Sequence, residues 1–254
     1  MRRAVTIVAG AAGWWLVSCR DIPAPEGGVL SLSPVRLPLP GLVAGDTMRD
    51  STGLVAPLSV VAYGVGGDTI KTVTPTFATL DTGAHLSGAL LIGERAGASV
   101  RVIASVVTVQ TQPVTVKVTV SPDTLHAADS TLHRKSYSLI TGDTIVNSAD
   151  LTTTVQHRAA GKDSSGVEAV IVRYTIDKAP PGDPAKGPTL LLMSGSVESR
   201  VDTTDTGGRG ARTARFRLLA ATTRTADTAV VSATSSYRGR TLGTVTFVVI
   251  FNRQ

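Results

Sequence analysis

Val114-Thr115-Val116-Lys117-Val118-Thr119-Val120-Ser121 is the stretch that decides the fold. Its valines fall on every second position, with polar residues between them. Successive side chains of a strand point to opposite faces, so this stretch has one apolar and one wet face, as a half-buried strand of an antiparallel sheet does. The same period recurs upstream in Val100, Val102, Ala104 and Val106. Downstream, Ala214, Phe216 and Leu218 alternate with Thr213, Arg215 and Arg217, and Val245, Phe247, Val249 and Phe251 form the last row. Turn-forming clusters separate such rows at Gly64 to Asp68, Asp81 to Gly83, Gly161 to Gly166 and Thr204 to Gly210. No amphipathic run of a dozen residues lies between them, which argues against a βαβ architecture. Thr and Val supply 34 and 32 of the 254 residues, and their branched side chains suit a pleated surface. The expectation is an all-β protein of short strands, arranged as a sandwich or barrel.

At the N-terminus, Arg2 and Arg3 precede Ala4 to Val17, an uncharged and mostly apolar run. It is shorter than the roughly 20 residues a spanning helix needs and suits the apolar region of a signal peptide. It ends in Leu16-Val17-Ser18-Cys19, and Cys19 is the only cysteine of the chain. A lone cysteine excludes a disulfide scaffold and a cysteine-rich zinc site. The tetrapeptide resembles the bacterial lipobox. That resemblance implies a lipoprotein signal peptide over 1–18, cleavage before Cys19 and acylation of its thiol. The partner so implied is a membrane, reached through the lipid anchor, and the localisation is the cell envelope, at the outer membrane or cell surface. A plain secretory signal and a spanning helix are the alternatives. Residues 19–28 read as the acylated cysteine and a Pro/Gly-bearing tether.

An internal repeat organises the remainder. Leu30-Ser31-Leu32-Ser33-Pro34 parallels Val118-Thr119-Val120-Ser121-Pro122, and Gly45-Asp46-Thr47-Met48 parallels Gly142-Asp143-Thr144-Ile145. An apolar-polar strand is expected after each copy, over Leu54 to Tyr63 and Leu151 to Ala159. Two units follow, 29–121 and 122–254. The first has about the length of an immunoglobulin-type sandwich, and the second needs longer loops.

Ala96-Gly97-Ala98-Ser99-Val100-Arg101-Val102-Ile103-Ala104, preceded by His85-Leu86-Ser87-Gly88, resembles the closing half of a group 2 bacterial immunoglobulin-like domain. Phe77 stands where that family usually carries Trp. Thr204-Asp205-Thr206-Gly207-Gly208-Arg209-Gly210-Ala211, followed by Ala229-Val230-Val231-Ser232-Ala233, resembles the invasin/intimin type. The resemblance implies tandem immunoglobulin-like antiparallel β-sandwiches and a role in surface adhesion.

Candidate chemistry is sparse. Phe77 to Ala84 contains Asp81-Thr82-Gly83, and Asp205-Thr206-Gly207 repeats the triplet, so a carboxylate pair of the aspartic-protease kind is one reading. Asp precedes Thr at eight of fifteen aspartates, however, and Asp-Thr-Gly is good turn chemistry. His85, His126, His133 and His157 lack metal-ligand spacing. No phosphate loop, nucleophile elbow, calcium loop or cofactor-binding pattern is present.

Formal charge is +6, with 25 basic and 19 acidic residues. Most of the excess lies in 122–254, where Arg209, Arg212, Arg215, Arg217 and Arg224 have no acid among them. They are the candidate binding residues for an anionic glycan or lipid headgroup. Aromatic residues make up 4% of the chain, too few for a base-stacking nucleic-acid surface. The proline-rich stretch Asp177 to Pro188 is a second candidate, as a loop on a rigid scaffold. The functional expectation is a non-enzymatic envelope lipoprotein that binds a glycan or protein, or else a structural spacer or assembly subunit. A hydrolase using Asp81 is the remote third.

Overall fold

A computed structural model describes residues 28–137, 144–182, 184–218 and 226–253. In chain order its strands are β1 (Ser31–Leu32), β2 (Gly41–Val43), β3 (Ala62–Tyr63), β4 (Thr69–Ile70), β5 (Thr76–Thr79), β6 (Ala84–Ser87) and β7 (Leu90–Gly93). They continue as β8 (Ser99–Val106), β9 (Val109–Gln110), β10 (Val114–Thr119), β11 (Thr124–Ala127), β12 (Leu132–Tyr137), β13 (Thr144–His157) and β14 (Ser165–Gly166). The last are β15 (Ile171–Lys178), β16 (Leu190–Ser194), β17 (Val197–Glu198), β18 (Val201–Thr203), β19 (Arg209–Leu218), β20 (Ala226–Tyr237) and β21 (Arg240–Arg253). A 3-10 turn, Pro184–Lys186, lies between β15 and β16. Among the described residues, no helix is long and apolar enough to cross a membrane.

The C-terminal strands make two facing sheets, ordered β11-β13-β19-β16-β17 and β12-β21-β20-β15-β18. This is an immunoglobulin-like arrangement. The A, B, E and D strands form one layer, the G, F and C strands the other, and the first strand is split between both. Pairing is antiparallel except where β12 runs parallel to β21. Alternation dictates the packing. Leu151, Val155, Leu192, Ala214 and Phe216 from one layer meet Val172, Tyr174, Val231, Phe247, Val249 and Phe251 from the other. Phe216 and Phe251 stack with centroids 4.3 Å apart and planes tilted by 57°. Tyr174 ties the layers through its hydroxyl, donated to Gly210 O at 2.8 Å, and burial pushes its phenol up to about 12.

The N-terminal strands make one full sheet, β2-β10-β8-β5, again with a parallel first strand, β2 on β10. Val100, Val102, Ala104, Val116 and Val118 line its inner face and pack on Met48, Leu58 and Leu91. The opposing layer is broken into β1-β3-β4 and β6-β7. The strand expected over Leu54 to Tyr63 is reduced to its last two residues. The rest holds on through isolated bridges, Arg49 to Val55 and Arg36 to Ser59. Pro57 sits within this stretch and has no N–H to give a ladder. A third, small core of Val29, Ala62 and Val106 closes the N-terminal pole.

Candidate functional site

Asp46 follows Gly45, whose φ of +75° turns the chain sharply after β2. The turn points a carboxylate, 6% exposed, at the β20–β21 hairpin, nearly two hundred residues further along the chain. Oδ1 accepts from Thr47 N at 2.9 Å, Arg49 Nη2 at 3.0 Å and Arg238 Nη2 at 2.8 Å. Oδ2 accepts from Arg49 Nε at 2.8 Å, Tyr237 Oη at 2.5 Å and Arg238 Nε at 2.9 Å. Burial alone would push this carboxyl up. The hydrogen bonds of Arg49, Arg238, Tyr237 and the Thr47 amide outweigh it and hold the group well below the usual carboxylate range. Burial and the adjacent carboxylate push the Tyr237 phenol up to about 12.

Six donors exceed the roughly four lone-pair positions of a carboxylate. Asp46 therefore has nothing left for a metal or a substrate proton. Its chemistry is that of a clasp between the N-terminal and C-terminal sandwiches.

The backbone around the clasp is shaped to it. Tyr237 pairs with Arg240, leaving a two-residue turn in which Arg238 has φ +51° and Gly239 φ +73°. Positive φ at both positions is the hairpin geometry that normally selects Asn-Gly. Arg in the left-handed region costs about 1–2 kcal/mol, and here its guanidinium chelates Asp46. Across the gap, a Cβ on Gly53 would lie 2.3 Å from Gly239 N, and one on Gly41 would lie 2.6 Å from Ala169 O. Backbone thus meets backbone at two points, and Ala169 itself has φ +62°. Lys117 and Glu168 add an ion pair at 3.7 Å. Beside the clasp is a cavity of about 340 Å³, whose lining includes Met48, Asp50, Ile171, Arg173, Ser236 and Thr244.

The arginines expected to act together are divided. Arg215 and Arg217 lie on the outer face of β19, Arg215 with its Nε 3.2 Å from Asn147 Oδ1. Exposed Ile145 lies opposite Arg217 in the ladder, and Lys135 donates to Asn147 O at 3.1 Å. Arg209 is on the same strand six residues earlier, about 20 Å away at strand spacing. Arg212 has the opposite parity and is buried, 6% exposed. Its Nη1 meets Asp202 Oδ1 at 2.9 Å, and its Nη2 donates to Val201 O. It is a structural ion pair between the layers, because a charge placed on the inward face must find a partner. Arg224 and Cys19 lie outside the described residues, as do Gly142 and Asp143 of the repeat.

The two Asp-Thr-Gly triplets are turns. Asp81 takes Arg101 Nε and Nη2 at 2.9 Å each and Arg101 N at 2.8 Å, and the Arg101 side chain holds its carboxyl at about 2. Asp205 accepts from Gly207 N at 2.8 Å and Arg209 N at 2.9 Å. His85 lies 2.8 Å from Glu94, and His157 lies 2.9 Å from Asp123. His126 is exposed, and the His133 ring lies 6.1 Å from that of Phe247. Among the described residues, no three His, Cys, Asp or Glu side chains group to hold a metal. The proline-rich connection is pinned where the Thr189 hydroxyl donates to Pro180 O at 2.5 Å.

The fold and junction define a class: tandem immunoglobulin-like β-sandwiches clasped end to end. No family model matches the chain, and no curated protein sequence does. Among solved structures it is similar to the Yersinia pseudotuberculosis adhesin InvE, at 12% identity and TM-score 0.31, over 88% of this chain and 60% of that one. It is also similar to mouse clustered PcdhgC3 EC1-3, at 12% identity and TM-score 0.28, over 87% and 68%, and to mouse cadherin-23 EC22-24, at 11% and 0.27, over 87% and 64%. The chain thus spans less than two thirds of InvE.

Proposed function

We propose that the chain is an exported, non-enzymatic lipoprotein of the bacterial cell envelope, acylated at Cys19, whose two sandwiches form a stiff arm for adhesion to a glycan or protein. The observation that carries this reading is the Asp46 clasp. Two sandwiches joined by a loose linker would rotate freely, and ordering them on a ligand would cost entropy. A carboxylate with six donors and two backbone-to-backbone approaches keeps the loops at the far end a fixed distance from the tether. The ligand-facing candidates are Arg215 and Arg217, with Lys135 and Asn147 beside them. Such a cluster favours an anionic ligand, because guanidinium groups pair bidentately with carboxylate or sulfate. Arg212 is committed to Asp202 and takes no part.

The test is binding of the purified protein to an immobilised sulfated or uronic-acid polysaccharide. Arg215→Glu combined with Arg217→Glu is expected to weaken binding by tenfold or more, about 1.4 kcal/mol, with the melting curve unchanged. Equal binding by wild type and variant removes the arginine pair. Alkyne-palmitate labelling of expressing cells is expected on the wild type and absent from Cys19→Ala. No label on the wild type removes the anchor.

The clasp favours one second reading, a spacer or assembly subunit of an envelope complex. That reading predicts recovery of a stoichiometric envelope protein on pull-down and no polysaccharide binding. The hydrolase reading gains no support, since Asp81 is occupied by Arg101.

A further inference from the structure

We propose that the N-terminal pole of the first sandwich docks on the lipid bilayer, with Leu30, Val65 and Val107 seated in the membrane interface. The inference rests on the Cys19 anchor proposed above. Its own support is the geometry of that pole.

Strand register fixes which end is which. β10 ends at Thr119 and leads into the second sandwich, and Ser99 at the start of β8 pairs with Lys117 near that end. β8 runs the other way, so its far end, Val106, lies some 25 Å off at strand spacing, at the pole remote from the second sandwich. There the turn Val107-Thr108 joins β8 to β9, with Val106 paired to Val109. β1 arrives at the same pole. Ser31 pairs with Tyr63, and Leu30 N donates to Tyr63 O at 2.8 Å. The antiparallel register then puts the turn after Tyr63, which holds Val65, level with residues 28 and 29. Val29, Ala62 and Val106 share one small core, which binds these segments together.

This pole is apolar where it need not be. Leu30 is 55% exposed, Val65 71% and Val107 56%. The Val107-Thr108 turn carries no charge, the Val65 turn closes on one exposed carboxylate, Asp68, and exposed Lys71 follows β4. Val107 also has φ +54°. A β-branched residue in that region is an outlier, and glycine or asparagine would fit without strain. Retaining an exposed valine there points to a use for its side chain.

The occupant follows from the chain itself. Gly28 lies at this pole, nine chain steps on from Cys19, a reach of at most about 32 Å. An acylated Cys19 would bring the bilayer to the end of the molecule that exposes these three side chains. Three exposed apolar side chains, with one acid and one base beside them, suit the boundary between acyl chains and headgroups.

The test uses the full lipidated protein in phosphatidylglycerol-containing vesicles. An environment-sensitive dye is attached at Val65→Cys, Val107→Cys or, as an equally exposed control in the second sandwich, Val197→Cys. Acylation consumes the only native thiol. The expected result is a blue-shifted emission about twofold brighter at 65 and 107 than at 197, quenched by nitroxide lipids. Val107→Gly keeps the turn and removes the side chain. In that background the dye at 65 is expected to lose about half of its nitroxide quenching. Positions 65 and 107 as wet as 197, with palmitate present on Cys19, would overturn the docking and leave the anchor. A shift that follows protein concentration without lipid would show a second copy on this pole, and would also overturn it. No palmitate on Cys19 would overturn anchor and docking together.

Discussion

Asp46 carries the junction because it is a charge that cannot be left alone. At 6% exposure it has lost most of its water, and two guanidinium groups, a phenol and an amide replace it. Its folded pKa lies below the ordinary 3.8, so the unfolded chain binds the proton first. The stabilisation is therefore fully present above about pH 4 and is lost as the pH falls toward the folded value. At the other extreme, the Tyr237 phenol is raised to about 12. Its contribution is complete below pH 10 and fades as the pH rises through 12. Asp46→Asn keeps the shape and removes the charge. It is expected to cost about 2–3 kcal/mol at pH 7, less than a fully buried pair because Arg238 remains half exposed. The acid-sensitive limb should flatten with it. Urea unfolding at pH 7 and pH 3 measures both.

Among the elements, the β20–β21 hairpin is set against its own propensity. An arginine at φ +51° is strained, and the strain is offset by its bonds to Asp46. Arg238→Asn should relax the turn and remove that clasp partner. The expected outcome is a melting midpoint within a few degrees of wild type and a broader distribution of inter-sandwich angles by small-angle scattering. A sharp loss of stability with an unchanged distribution would show that the guanidinium serves the hairpin and not the junction. β19 shows how one strand divides its labour by parity. Ala214 and Phe216 face inward, Arg215 and Arg217 outward, and Arg212 has the inward parity and a buried partner. That parity was visible in the sequence. Asp202, which makes burial of Arg212 tolerable, became its partner only when β18 crossed to the edge of the facing sheet.

Across the whole molecule, the hydrophobic residues divide into a large C-terminal core, a smaller N-terminal core and a three-residue cluster at the pole. Polar contacts and backbone approaches join the larger two. Phe216→Ala, from 0% exposure, should cost about 3–5 kcal/mol. Calorimetry is expected to show the C-terminal transition moving down by well over ten degrees, while the N-terminal transition moves only by what it gains from the clasp. Equal shifts in both would mean that the junction couples the sandwiches into one cooperative unit.

Legible from residue order were the all-β class, the inward rows around Val116, Phe216 and Phe247, and the turns at both Asp-Thr-Gly triplets. These depend on period-2 alternation and local turn chemistry, which are properties of neighbouring residues. Residue order also marked Gly45-Asp46-Thr47-Met48 as one copy of an internal repeat, which the structure shapes into a turn. The tertiary structure alone decided what that turn does. Asp46 meets Tyr237 and Arg238 across a separation of 191 and 192 residues, and no spacing rule encodes such a contact. The interrupted strand at Leu54 to Tyr63 was decided in the same way. Its alternation was present, but Pro57 and the bridges around it shape the edge of a broken layer. Local pattern fixes which face of a strand is wet, and the burial of a charge against a distant partner is settled only when the sheets stack.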